Sequence, residues 1–204
     1  MSRSTLFAAA VVLAAGTLAA PAARADAVVG QPAPAFTLTD SQGKTHSLKD
    51  FAGKTVVLEW TNNECPFVKK HYDGKNMQAQ QGEAKDDGVV WLVLNSSASG
   101  KQGHVTAEQA NAIQAKWGAR QAAYLFDTPG TVGRAYGAKT TPHMYVIDGQ
   151  GILRYNGAID SNPSSDPKDI PGATQYVRAT LADLEAGKAV ATPTTRPYGC
   201  SIKY

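Results

Sequence analysis

Residues 55–69 read Thr-Val-Val-Leu-Glu-Trp-Thr-Asn-Asn-Glu-Cys-Pro-Phe-Val-Lys. Thr55 to Trp60 is an apolar run broken only by Glu59 and bounded by Gly53 and by Asn62-Asn63, which fits a strand buried on both faces. Proline is favoured at the first helical position, so Pro66 predicts a helix over Phe67 to about Gln81, interrupted at Gly74. Cys65 therefore stands where a buried strand ends and a helix starts. Backbone N–H groups and the macrodipole stabilise an anion at such a place. A thiolate is such an anion, and the position is expected to lower the thiol pKa. The competing reading is a buried structural cysteine, against which the polar approach Thr61-Asn-Asn-Glu64 speaks. Glu64 is expected to face solvent.

Outward from this stretch, buried strands alternate with helices. Phe36 and Leu38 alternate with Thr37 and Thr39, Ser41 to Lys44 is turn chemistry, and Thr45 to Leu48 returns as a second short strand. Gly88 to Asn95 predicts a buried strand, and Thr106 caps a helix that ends near Gly118. Ala123 to Phe126 predicts a strand and Thr128 to Tyr136 a short helix. His143–Ile147 and Ile152–Asn156 flank Asp148 to Gly151 as a hairpin. A last helix runs from Gly172 to Ala186, with Tyr176, Val177, Leu181 and Leu184 on one stripe. The order gives a three-layer α/β sandwich with a mixed central sheet and an N-terminal β extension.

The chain has 204 residues and a formal net charge of +3. Residues 1–25 carry Arg3, the apolar run Leu6 to Ala15, and Ala23-Arg24-Ala25, the pattern of a secretory signal peptide. A membrane anchor is the competing reading, but the run is short and rich in alanine for a span of about 20 apolar residues. Cleavage after Ala25 takes away Arg3 and Arg24 and leaves 18 basic against 17 acidic residues. No basic stripe remains for nucleic acid. Residues 26–188 are expected to form the domain and 189–204 a mobile Pro/Thr-rich tail that carries Cys200. The expected location is exported, periplasmic or extracellular, with no stable membrane insertion after cleavage. Two cysteines, Cys65 and Cys200, exclude a disulfide-dense scaffold or a four-thiolate zinc site, and an oxidising compartment lets a disulfide between them persist.

Thr141-Pro142 precedes a strand, and a proline there marks either an edge or a loop that faces the cysteine and shows backbone groups to a thiol substrate. Thr61, Asn62, Pro66, Thr141, Pro142 and His143 form the candidate substrate-binding set. Glu59, six residues before Cys65, is either an ordinary charge at a strand end or a buried base. His46, His71, His104 and His143 lack metal-ligand spacing, and no metal or cofactor is expected. The three tryptophans read as core or groove-lining residues, and Lys69, Lys70 and Lys75 as a solvated helix face.

The ordered set Gly30-Gln-Pro-Ala-Pro-Ala-Phe-Thr-Leu38, Ser47-Leu-Lys-Asp-Phe-Ala-Gly-Lys54, Asn62-Asn-Glu-Cys-Pro-Phe-Val-Lys69, Thr141-Pro142, Gly157-Ala-Ile-Asp160 and Gly199-Cys-Ser-Ile-Lys203 resembles the AhpC/TSA (redoxin) family, and within it a peroxiredoxin-like subgroup. The resemblance implies a thioredoxin-like fold and a thiol-dependent oxidoreductase with Cys65 as nucleophile. It also implies an external dithiol reductant and a peroxide or a protein disulfide as substrate. Three positions depart from the pattern. Val68 stands where C-x-x-C oxidoreductases have their second thiol. Asn62 stands where peroxiredoxins carry a hydroxyl three residues before the cysteine. The loop Thr140-Thr-Pro-His143 has no arginine, leaving Arg120, Arg134 and Arg154 as candidates.

Cys200 has Cys65, another molecule or nothing as its partner. About thirteen residues separate it from Gly187 and can extend to ~43 Å, against a radius of gyration near ~16 Å for such a domain, so the tail can reach Cys65. Three functions stay open. One is a peroxide-reducing antioxidant in which Cys200 resolves Cys65. The second is a thiol–disulfide exchange protein without peroxidase activity. The third is a non-catalytic binding module stapled by a Cys65–Cys200 disulfide.

Overall fold

The computed structural model describes residues 27–204, so the expected signal segment lies outside the described residues. Seven strands form one mixed sheet: β1 (Thr37–Asp40), β2 (Thr45–Ser47), β3 (Val56–Trp60), β4 (Val90–Asn95), β5 (Ala123–Phe126), β7 (His143–Ile147) and β8 (Leu153–Gly157), in the order β2-β1-β5-β4-β3-β7-β8. Strands β3, β4 and β5 run parallel, while β7 lies antiparallel to β3 and β1 antiparallel to β5. Helices α1 (Pro66–Asp73), α2 (Asn76–Asp86), α3 (Ala107–Trp117) and α5 (Tyr176–Glu185) contribute to the core on one face. Helix α4 (Thr131–Ala135), the N-terminal residues and a 3-10 turn (Leu48–Phe51) cover the other.

Strand alternation divides β3 between the two cores. Val57 packs with Cys65, Tyr72, Trp91 and Met144, whereas Val56, Leu58 and Trp60 pack with Leu92, Tyr136 and Tyr145. The helix expected over Phe67 to Gln81 is two helices. Lys75 takes a left-handed φ of 60°, and Gly74 lets Ile170 approach so closely that a Cβ there would stand 2.6 Å from its Cδ1. The last helix starts at Tyr176, not Gly172, because residues 172–175 turn on bonds such as Ala173 N–H to Ile170 O. Helix α4 starts three residues later than expected. The Asp127 carboxylate accepts the Val132 and Gly133 N–H groups and so anchors the helix start.

The tail is the main correction to the sequence reading. Instead of hanging free of the domain, it lies as a strap along it. Asn156 N–H donates to Pro193 O and Thr195 N–H to Asn156 O, and Thr195 Oγ1 accepts the Ala158 N–H at 2.8 Å. Cys200–Ser201 forms strand β9, antiparallel to β6 (Thr140–Thr141), with Thr141 opposite Cys200. Ile202 N–H donates to Lys139 O, and Tyr204 ends the chain with its hydroxyl on Ala138 O and its ring under the Arg134 guanidinium. The approach requires Gly199. Its φ is +130°, and a Cβ there would stand 2.0 Å from Thr141 O.

Gly199→Ala is therefore expected to detach β9 from β6 and lower stability by about 1–3 kcal/mol. Hydrogen exchange at Ile202, combined with denaturant unfolding, checks this. Unchanged Ile202 protection would count against the requirement for glycine.

Candidate active site

Strand β3 ends at Trp60, and the next residues turn the chain so that Cys65 caps helix α1. Cys65 N–H donates to Asn62 O at 3.0 Å, and Glu64 N–H donates to Asn62 Oδ1 at 2.9 Å. This turn delivers Cys65, with 0% of its surface exposed, into the core on the α1 side. Its Sγ–H donates to Thr141 O at 3.1 Å, and its sulfur lies 3.4 Å from the Cys200 N–H. Both cysteines are free thiols, and the Thr141–Pro142 peptide bond is cis. Cys65, Cys200, Thr141 and Pro142, spread over the sequence, thus meet at one sulfur.

The two thiols are unequal. Burial pushes the Cys65 thiol up, but hydrogen bonds from the Cys200 thiol, the Val68 and Cys200 N–H groups and the Thr141 side chain outweigh it, so its pKa lies below the ordinary value. Burial and the hydrogen bond to Cys65 push Cys200 up to about 12. Of the two thiols Cys65 is the more acidic, with the Cys200 thiol among its hydrogen-bond donors.

Glu59 is fully buried on the same face as Cys65. Burial raises its carboxyl to about 7, against hydrogen bonds from Trp91 Nε1 and Tyr72 OH at 2.9 Å and from Gln81 Nε2 at 3.3 Å. All three bonds go to core residues and none to Cys65. Thr61 and Asn62 are buried beside the turn, and Thr61 Oγ1 and Asn62 Nδ2 have no hydrogen-bond partner. Pro66 starts α1 and is exposed, as is Glu64.

His143 does not meet the expectation of a place beside the thiol. On β7 it pairs with Trp60 of β3, and alternation sends its ring to the face opposite Cys65. There Nε2 bonds Asn156 Oδ1 at 2.8 Å, Nδ1 accepts the Lys139 N–H, and burial lowers its pKa to about 4. None of the three arginines reaches the thiol. Arg154 pairs with Asp148 at 2.6 Å, Arg134 bonds Pro129 O, and Arg120 packs over Gly82.

The sequence reading missed a buried polar cluster. Lys70, expected in a solvated face, is fully buried with Nζ 3.1 Å from Asp160 Oδ2 and 2.8 Å from Asn162 O. The Tyr198 hydroxyl donates to Asp160 Oδ1 and lies 3.1 Å from His71 Nε2. His71 Nδ1 accepts from Asn76 Nδ2, so Nε2 carries the proton and donates to Tyr198, and burial lowers the His71 pKa to about 4. The signal was an aromatic residue in a polar tail, two positions before Cys200, together with the Asp160 of the Gly157 to Asp160 motif.

Residues 29–156 match the model of the AhpC/TSA family. The chain belongs to this family. Its fold is thioredoxin-like. Over 150 residues it is 30% identical to the thiol:disulfide interchange protein DsbE of Yersinia pestis, covering 67% of each chain. The DsbE of Pseudomonas aeruginosa is 29% identical over 159 residues, 74% of this chain and 79% of that one. Among solved structures, an uncharacterized conserved protein from Geobacillus kaustophilus superposes with a TM-score of 0.76 at 27% identity, over 87% of this chain and 92% of that one.

The buried Glu59 gives a pH test. An unfolded glutamate near 4.5 and a folded one near 7 mean that the folded state holds the extra proton between these values. The contribution of Glu59 to stability therefore falls as pH rises from about 4.5 to about 7 and its charge is forced into the core, opposite in sign to the contributions of the buried His71 and His143, which rise over the same range. Glu59→Gln is expected to remove that fall. Its stability relative to wild type should be about 3 kcal/mol more favourable at pH 8 than at pH 4.5, from ~1.36 kcal/mol per pK unit. Urea unfolding of both proteins at the two pH values measures the difference, and a flat difference would exclude a raised Glu59.

Proposed function

We propose that this protein is an exported thiol–disulfide oxidoreductase that exchanges disulfides through the Cys65–Cys200 pair and is not a dedicated peroxidase. The observation that carries the reading is the register of β9 on β6, which holds Cys200 opposite Thr141 with its N–H 3.4 Å from Cys65 Sγ. A cysteine-bearing extended strand laid along the Thr141–Pro142 loop is also how a protein disulfide would present itself by strand addition. The relatives named as thiol:disulfide interchange proteins support the same chemistry.

Cys65 has the lowered pKa that exchange requires of a thiolate or leaving group. Removing two electrons and two protons from the pair forms the Cys65–Cys200 bond, and an external dithiol restores the two thiols. Glu59 is proposed as a proton store behind the sulfur. Thr141 and Pro142 are proposed as the surface against which a client strand lies. Peroxide reduction has less support, because Cys65 has only uncharged hydrogen-bond donors around it and the Lys70 ammonium of the same helix is committed to Asp160. The N-terminal pattern favours export to the periplasm or beyond the cell. Among the described residues no helix is long and apolar enough to cross a membrane.

The mature protein in glutathione redox buffers is expected to form the Cys65–Cys200 disulfide reversibly and, when reduced, to cleave the interchain disulfides of insulin. Cys65→Ser and Cys200→Ser should each lower the insulin rate at least 100-fold. Hydrogen peroxide should oxidise Cys65 within about tenfold of the rate for free cysteine thiolate. A peroxide rate a thousandfold higher, with no insulin cleavage, would replace this reading with the peroxidase.

A further inference from the structure

The two sulfurs of the pair differ in access as well as in acidity. Cys65 has 0% of its surface exposed, while Cys200, on the outer strand, is only part-buried. Cys200 lies over Cys65, its N–H 3.4 Å from the sulfur, and the Thr141 carbonyl closes another side at 3.1 Å. A partner sulfur must attack in line with the bond it breaks, from the side away from the leaving sulfur. Cys65 is enclosed in the core with Val68 and Tyr72 of helix α1 and offers an incoming sulfur no open side, whereas Cys200 keeps part of its surface exposed.

Beside the backbone bonds of the strap, the cluster under Tyr198 holds it down two residues before Cys200. The phenol donates to Asp160 Oδ1, receives His71 Nε2–H at 3.1 Å and has Lys70 Nζ at 3.5 Å. Its ring meets Phe67 of α1 edge-on at 5.7 Å between centroids. Lys70, His71 and Asp160 have fully buried side chains. Lifting Tyr198 would leave Asp160 and Lys70 with a cavity and a lost hydrogen bond, so the latch resists opening.

We infer that partners exchange disulfides with this protein at Cys200, with Cys65 as the buried leaving thiolate, and that Tyr198 is the positioning residue that enforces this polarity. The inference rests on the exchange reading above and reverses the roles that a strand-end cysteine suggests. In the reductive half-cycle a partner thiolate attacks Cys200 Sγ. A partner–Cys200 disulfide forms, the Cys65–Cys200 bond breaks, and its electron pair leaves on Cys65. The second thiol of a dithiol partner, as its thiolate, then attacks the partner's own sulfur in the mixed disulfide. The Cys200 thiolate departs and takes up a proton. The partner is oxidised to a disulfide and the protein is reduced to its two thiols. The acidity of the pair favours the same direction, since a thiol of low pKa leaves faster.

The test uses the full mature protein as its Cys65–Cys200 disulfide, mixed with reduced glutathione and quenched in acid over a time course. Peptide mass mapping gives the ratio of glutathione on Cys200 to glutathione on Cys65, expected above ten. Adducts shared equally, or mainly on Cys65, overturn the inference while leaving exchange intact. A disulfide that glutathione and dithiothreitol reduce only after denaturation overturns the exchange reading and this inference with it. Tyr198→Phe keeps the ring and removes the hydroxyl. It is expected to lower the ratio at least threefold, an effect that a loss of stability alone would not produce. An unchanged ratio removes Tyr198 from the enforcing role.

Discussion

A sulfur with no solvent access can carry charge only if protein groups replace water around it. This constraint organises the molecule around Cys65. Each compensating group comes from a different part of the chain: Val68 from the start of α1, Thr141 from the loop before β7, and Cys200 from the last strand. No single stretch supplies enough donors, so the site exists only when the sheet has brought β3 beside β7 and the strap has crossed to β6. The strap is therefore part of the thiol's environment as much as a carrier of the second thiol.

The strap in turn depends on charges buried elsewhere. An ion pair such as Lys70–Asp160, with both side chains at 0% exposure, recovers its desolvation cost only when the remaining lone pairs and protons are also satisfied. Asn162 O takes a bond from Lys70, and Asp160 accepts the Tyr198 hydroxyl and the Asn162 N–H. The pair thus selects one position for residue 198, and with it one register for β9 on β6. The same cluster sits at the start of the segment leading to α5, where Asp160 bridges to Gln175. Strap, helix α1 and the α5 connection are consequently held by one set of polar contacts.

Much of this was legible in the sequence because it follows from local periodicity. Val56 to Trp60, Val90 to Asn95 and the hairpin across Asp148 were readable as apolar runs with turn chemistry, and Thr106 and Gly118 as a cap and a stop. The position of Cys65 at a strand–helix junction followed from Pro66. What could not be read was set by partners far away in the chain. Lys70 looks like any lysine on a helix until Asp160, ninety positions later, meets it in the core. His143 was misplaced for a simpler reason: alternation on β7 puts Met144, not His143, on the thiol's side of the sheet. The tail has no periodicity because its bonds run to Asn156, Ala158, Asp160, Thr141 and Lys139, one contact at a time, rather than to a repeating face.

The kind of compensation around Cys65 also bears on its chemistry. Cleaving a peroxide O–O bond develops charge on the departing oxygen, and a fixed cation next to the sulfur would stabilise it. Disulfide exchange makes a smaller demand, because the charge passes from one sulfur to another along the line of attack. Neutral donors suffice to hold a leaving thiolate, and Cys65 has such donors from Val68, Cys200 and Thr141. The three candidate arginines, Arg154, Arg134 and Arg120, are engaged elsewhere by Asp148, Pro129 O and the Gly82 surface of α2. The Lys70 ammonium is spent on Asp160 beneath the strap, and an uncharged set of donors at Cys65 suits the disulfide exchange proposed above. In the polarity inferred above, the inner sulfur, its pKa lowered, takes the negative charge and the outer sulfur, part-exposed and poorly acidic, meets the partner.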